Sequence, residues 1–242
     1  MKIQYICLEC LDTETFQHVH FSVRDDGVHE VTCNEGHKSF IFLSNSLFEI
    51  LFDYGLHALL DGYTREAVAS FTASLERFYE FYIRVIQRKH GVVAEEIDKS
   101  WKHLSSWSER QLGGFLSLYL IEKKTANKLF PGWIVEFRNK VTHKGKIPTE
   151  EDAIKYGTEI FSFLKENLNE LKRENDIFIK EQIKQDLEAN VRRNTDHERR
   201  SEMQITTTFL SSAPLEYPLE PTTFKAAQDL ANTLNAMIRD AD

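Results

Sequence analysis

TREAVASFTASLERFYEFYIRVIQRKHG, Thr64 to Gly91, places Val68, Phe71, Leu75, Phe78, Tyr82 and Val85 at intervals of three and four residues. That spacing gathers them on one stripe of a helix, with Thr64 opening the segment and Gly91 closing it. Upstream, SNSLFEILFDYGLHALLDG starts with an N-capping serine and carries Leu47, Ile50, Leu51, Tyr54, Ala58 and Leu59 at helical spacing. Downstream, GGFLSLYLIEKKTANKLF reads as another helix, and PGW leads into WIVEFRNKVTH, where Pro131 suits a start and Gly145 with Pro148 a stop. TEED at Thr149 then offers a capping side chain followed by acids in a first turn, where the helix dipole favours them. The long helix that follows directs Ile154, Phe161, Leu164, Leu168 and Leu171 inward. From Ser44 onward the chain is therefore expected to be mainly α.

Residues 1–43 have a different period. QYICL and FQHVHFSV carry the alternation and the β-branched or aromatic content of strands, DDG at Asp25 to Gly27 supplies a turn, and SFIFL reads as a further strand. Three cysteines cannot all pair as disulfides within one chain. Cys7 and Cys10 form C-x2-C, and Cys33 with His37 forms C-x3-H, so the unit offers three thiolates and one imidazole. Such a set suits tetrahedral Zn²⁺, and the arrangement resembles a zinc ribbon. With all four positions filled by protein the metal has no open position for water, so the expected Zn²⁺ is structural. A unit this small buries little apolar surface, and metal binding would supply its folding energy. The alternative is a free-thiol hairpin, and His18, His20 and His29 are the other imidazoles within reach of the set.

The chain from Lys172 to Glu202 is dense in both signs of charge and reads as a solvated or partner-packed helix fraying near NTDHERR. Beyond it come a strand candidate, ITTTFL, the proline-spaced SSAPLEYPLEPT, and a short amphipathic helix, FKAAQDLANTLNAMI. The expected division is thus 1–43, 44–175 and 176–242: ribbon-like unit, helical domain, and charged helical extension with its tail.

The 242 residues, 41% of them hydrophobic, suffice for a real core. No stretch approaches the roughly eighteen apolar residues of a membrane span, so a soluble cytoplasmic protein without membrane association is expected. A net charge of −8 argues against a broad basic face for duplex nucleic acid. Between Pro131 and Ile147, however, Arg138, Lys140, Lys144 and Lys146 stand against Glu136 alone, a local excess of +3.

That basic segment contains FRNKVTHKG, Phe137 to Gly145, with an arginine followed five residues later by a histidine. The spacing alone is weak, because it recurs at Arg24 and His29 and at Arg192 and His197, with a looser version at Arg84 and His90. Context favours Arg138 and His143, since Trp133, Ile134, Phe137 and Val141 recur on one face of the same short helix. Arginine stays protonated and can stabilise a phosphorane; histidine titrates near neutrality and can move a proton. Five residues turn a helix through about 500° and advance it about 7.5 Å, leaving the two side chains roughly 140° apart. One helix cannot easily aim both at one phosphate, whereas two copies related by a twofold axis would supply two arginines and two histidines. Glu76, on the long helix, is a candidate to orient an arginine.

FRNKVTH, preceded by several amphipathic helices and followed by a long capped one, resembles the R-x4-6-H motif of HEPN-domain ribonucleases over about residues 44 to 175. In that family a polar residue usually follows the arginine, and Asn139 matches it. The resemblance implies a HEPN-like antiparallel helical bundle, a homodimer formed through the motif-bearing helices, and metal-independent endoribonuclease activity with Arg138, Asn139 and His143 as catalytic residues. Lys140, Lys144 and Lys146 would contact RNA. A toxin or antiphage defence role is implied as well, with an antitoxin or defence-system protein as partner. One toxin subgroup carries a tyrosine two residues beyond the histidine for nucleotidylation; Gly145 stands there in this chain.

Overall fold

A computed structural model describes residues 3–12, 18–24, 26–128, 130–193, 200–203, 209–212 and 221–239. The described chain is mainly helical with small sheets, and it forms two compact units: Met1–Asn45 with Glu181–Thr207, and Ser46–Lys180 with Thr208–Asp242. The region read as a single extension over 176–242 thus contributes to both units.

In the first unit β1 (Ile3–Ile6) pairs antiparallel with β2 (His18–Phe21), and α1 (Leu8–Asp12) lies between them in sequence. β3 (Val28–Thr32) and β4 (Lys38–Leu43) form a second antiparallel pair in register Val28 with Phe42 and Thr32 with Lys38. Ile3, Tyr5, Val28, Val31 and Ile41 are buried, so the alternation seen in the sequence fills a small core. β5 (Arg200–Met203) adds to β4 in parallel. This corrects the expected fraying helix over residues 200–202. The ITTTFL strand candidate falls mostly on residues 205–208, outside the described residues, as does most of the proline-spaced segment.

The second unit is built around α3 (Thr64–Lys89), whose expected stripe of Val68, Phe71, Leu75, Phe78, Tyr82 and Val85 is buried throughout. It packs on α2 (Leu47–Leu60), α4 (Ala94–Leu104), α5 (Ser108–Lys123) and α6 (Gly132–Lys144). The α2 stripe matches the expected one at Ile50 and Leu59, but Phe48, Phe52 and Leu56 are buried as well, Leu51, Tyr54 and Ala58 are only half-buried, and Leu47 is exposed. Two acids on the same helix are buried with them, because Glu49 accepts from the Ser212 N–H at 2.9 Å and Asp53 from the Phe209 N–H at 3.2 Å. Burial raises the Asp53 carboxyl well above its ordinary range, against the opposing pull of that N–H.

The Gly145 stop is observed as a left-handed residue (φ 68°), and the Thr149 cap as an Asp152 N–H donating to Thr149 Oγ1 at 3.1 Å. α7 (Glu150–Arg193) departs from helical geometry at Asn175 (φ −137°, ψ 25°). Within its charged stretch Lys172, Asn175, Ile179 and Gln182 are buried, so that face is not wholly solvated. α8 (Phe224–Arg239) matches the expected amphipathic helix and packs on α2, with Phe224 seated among Phe52, Phe71 and Phe161.

Gly157 makes room for that ring: a Cβ there would lie 2.6 Å from Phe224 Cζ and 2.8 Å from Phe71 Cε2. Gly157→Ala gains about 1 kcal/mol of helix propensity but overpacks buried rings at a cost of about 1–3 kcal/mol. A net loss of about 1 kcal/mol is expected, read as a lower urea midpoint. An unchanged or higher midpoint would mean that Phe224 swings aside without cost.

Candidate functional site

Two arrangements bring chemistry-bearing side chains together, one in each unit. In the first unit the ligating atoms of Cys7, Cys10, Cys33 and His37 all lie within 4.8 Å of one another. The three cysteines are buried, and none is in a disulfide. Cys10 Sγ is 3.7 Å from Cys33 Sγ, and His37 Nδ1 lies 3.4 Å from Cys10 Sγ, 3.5 Å from Cys33 Sγ and 3.8 Å from Cys7 Sγ. Zinc–sulfur and zinc–nitrogen bonds of about 2.3 and 2.0 Å in a tetrahedron put ligand atoms about 3.8 Å apart for two sulfurs and about 3.5 Å for sulfur and nitrogen. The cluster therefore has the size and donor chemistry of a metal site compatible with zinc.

Local structure sets that geometry. Cys7 follows β1 directly, Cys10 sits on α1, and the Leu11 N–H returns to the Cys7 carbonyl at 3.2 Å. Cys33 and His37 flank the β3–β4 turn, where Gly36 takes φ 82° and the Cys33 N–H donates to the His37 carbonyl at 3.1 Å. Burial and the adjacent thiols push the Cys10 thiol up to about 12. Burial also opposes ionisation of Cys33, but backbone N–H groups of His37 and Glu35 outweigh it and bring that thiol down to about 7. Cys10 thus resists ionising beside Cys33 unless a cation lies among the ligand atoms.

Sequence reasoning missed Glu9, whose Oε2 stands 3.8 Å from His37 Nε2. A carboxylate behind the outer imidazole nitrogen favours a proton there and leaves Nδ1 free to ligate. Its only signal was its place inside the C-x2-C pair. The other imidazoles are elsewhere: His18 is exposed, His20 is half-buried, and His29 is buried. His29 donates from Nδ1 to the Ile41 carbonyl (3.1 Å) and accepts at Nε2 from the Arg24 N–H (3.0 Å). Both of its nitrogens are committed to the backbone, and burial lowers its pKa.

In the second unit Arg138 projects from α6 into a polar setting of three elements. Its Nη2 donates to Glu76 Oε1 of α3 at 2.7 Å and to Ser108 Oγ of α5 at 2.9 Å, and its Nη1 donates to Asn139 Oδ1 at 3.1 Å. The guanidinium side chain is 19% exposed, so it is held firmly yet still reached by solvent. Ile134, Phe137 and Val141 are buried on the same side of α6, flanking the arginine, with Trp133 half-buried beside them. Thr72 and Tyr156 share a hydroxyl hydrogen bond of 2.8 Å near this group. Burial pushes the Tyr156 phenol up to about 12 and Tyr79 above its ordinary range. Both phenols therefore stay neutral at physiological pH and cannot act as bases there.

His143 lies near the end of α6, exposed, with no hydrogen bond or ion pair among the described residues. Within one chain it is thus separated from the half-buried arginine, in line with the helix geometry. Lys140 pairs with Glu136 at 2.7 Å, and Lys146 pairs with Asp152 at 3.1 Å while lying 4.7 Å from the Phe137 ring centre. Lys144 is exposed and not ion-paired among the described residues.

The rival motifs are absorbed into structure. Arg84 binds Glu80 and Asp98, His90 binds Glu122, and Arg192 binds Glu188; His197 falls outside the described residues. No helix among the described residues is long and apolar enough to cross a membrane. Compared with protein-family models, curated proteins and solved structures, the chain matches none.

Proposed function

We propose that this chain is a metal-independent endoribonuclease of HEPN type, acting by 2′-OH transesterification at a composite site in a homodimer. The observation that carries the reading is the three-point hold on Arg138 by Glu76, Ser108 and Asn139, five residues before an exposed histidine that has no partner among the described residues. A fixed guanidinium at a solvent-reached position meets the need for a cation that stabilises a crowded phosphorane without reorganising. His143 is the group that moves protons: from one chain it takes the 2′-OH proton, and from the other it protonates the leaving 5′-oxygen. Glu76 and Ser108 act through Arg138, as positioning residues. Asn139 fixes the same guanidinium and stands as the third member of the site. Lys144, with Lys140 and Lys146 released from their surface pairs, draws the RNA backbone toward α6.

The cysteine cluster is read as a structural Zn²⁺ site. Cys7, Cys10, Cys33 and His37 would fill all four positions around the ion, which supplies folding energy and takes no part in cleavage. A toxin or antiphage defence role, with an antitoxin or another defence protein as partner, rests on the family resemblance.

Incubation of purified protein with single-stranded RNA in the presence of a chelator tests the activity, with a 2′,3′-cyclic phosphate on the upstream product as the expected result. A 3′-hydroxyl product, or cleavage that needs added metal, would overturn it. Sedimentation at micromolar concentration is expected to give a dimer. A strict monomer that still cleaves would contradict the composite site, and RNA binding without any cut would favour a noncatalytic RNA-binding scaffold.

A further inference from the structure

The chain has three tryptophans, and their surroundings differ. Trp101 is 8% exposed, enclosed beneath the guanidinium groups of Arg77 and Arg84 at 5.6 and 5.8 Å. Trp133 is half-buried with the Lys155 ammonium 4.7 Å from its ring centre. Trp107 is 59% exposed. It immediately precedes α5, in an extended conformation (φ −140°, ψ 118°), and makes no side-chain cap. An isolated exposed apolar side chain needs no explanation of its own. Two neighbours make this one different.

The first is Ser108, whose hydroxyl accepts from Arg138. Successive Cα atoms are about 3.8 Å apart, so the exposed indole starts one residue from a direct contact of the guanidinium proposed to hold the scissile phosphate. The second is Arg110, whose guanidinium carbon lies 5.8 Å from the Trp107 ring centre and whose Nη1 donates to the His103 carbonyl at 3.1 Å. Arg110 has no carboxylate partner among the described residues, unlike Arg77, Arg84 and Arg138. An indole that is more than half exposed, with a guanidinium beside it, offers an open aromatic surface and an unpaired cation.

We propose that Trp107 is the base-stacking platform for a nucleotide of single-stranded RNA next to the phosphate on Arg138, with Arg110 contacting the adjoining backbone. Unpaired bases stack on aromatic faces with little regard to sequence, while arginine serves the phosphates. A duplex keeps its bases stacked on one another and cannot use this surface. The inference rests on the ribonuclease reading for the role of Arg138, and it assigns the substrate class: single-stranded RNA.

The test uses the full-length protein and a single-stranded 2′-O-methyl oligonucleotide, which lacks the attacking hydroxyl and so reports binding alone. Its addition is expected to quench tryptophan emission, and Trp107→Phe is expected to remove most of the quench while keeping most of the affinity. Trp107→Ala is expected to weaken binding by roughly 5- to 150-fold, the range for one base stack. On cleavable RNA it should raise KM more than it lowers kcat, and a duplex of the same sequence should bind far more weakly. Wild-type affinity in Trp107→Ala, or no binding by the parent protein, would overturn the proposal. So would a Trp107→Ala variant that sediments as a monomer yet binds as much RNA per chain, which makes the indole a protein contact. Quenching through Trp107 without cleavage of ordinary RNA keeps this inference and removes the ribonuclease reading; cleavage independent of Trp107 does the reverse.

Discussion

The His143→Ala variant is expected to lose about 10²- to 10⁴-fold in RNA cleavage, the contribution a positioned proton-transfer group makes. Because the side chain is exposed and unpartnered among the described residues, its removal leaves no buried group unsatisfied, and the variant should melt with the parent protein. Arg138→Ala should lose cleavage to a similar degree, about 10²- to 10³-fold for a preorganised charge-stabilising group. Its structural cost is larger, since Glu76 and Ser108 lose a shared donor. Arg138→Lys separates charge from geometry: an ammonium keeps the charge but cannot span Glu76, Ser108 and Asn139 as the planar guanidinium does, so it should rescue folding and little activity. The control is Arg192→Ala with His197→Ala, the same spacing elsewhere in the chain, expected to be close to neutral. Loss of activity in the control, with His143→Ala fully active, would move the site away from α6. Equal loss in both would point to a folding effect.

The second large effect belongs to the cysteine cluster. One zinc per chain is expected by elemental analysis of the purified protein, and less than half an equivalent with no other metal in its place would end the assignment. Structural zinc contributes about 10–16 kcal/mol in small zinc-dependent domains, far more than a sheet this small provides from burial. Cys33→Ser removes one ligand of four and should unfold the unit that contains the cluster. Most helical circular dichroism should survive, because the α3-centred unit has its own core of Phe48, Phe52, Phe71, Phe78 and Phe161. Loss of both signals together would show one cooperative structure instead of two.

What could be read from the sequence follows the reach of each interaction. The α3 stripe was legible because a helix that buries one face over 26 residues announces its period many times. The ligand set was legible because paired short spacings are themselves the geometry of a metal site. The α2 face was misread by about one position, because Glu49 and Asp53 are drawn inward by N–H groups more than 150 residues away. No local period encodes that. α4 went unread for the opposite reason: only Ile97 and Trp101 of its eleven residues are buried, too few to set a rhythm. Around Arg138 the helix and its neighbour Asn139 were visible, and Glu76 was a candidate, but Ser108 gave no sign. Its contact joins residues 30 apart in sequence, and serine precedes countless helices for capping alone.

The parallel pairing of β4 with β5 has a consequence for the order in which the protein is made. Phe40 is matched with Arg200 and Leu43 with Met203. At about 5–20 residues per second, roughly 10 to 30 s of translation separate the two strands. All four cluster residues precede β4, so they leave the ribosome early, while one edge of β4 waits, carrying Phe40, Ile41, Phe42 and Leu43. An apolar strand edge is a template for pairing with another chain. The nascent protein therefore spends most of its synthesis with this apolar edge open, and, on the proposed reading of the cluster as a zinc site, cells short of metal at that stage would be expected to lose it to inclusion bodies before any folded molecule could fail.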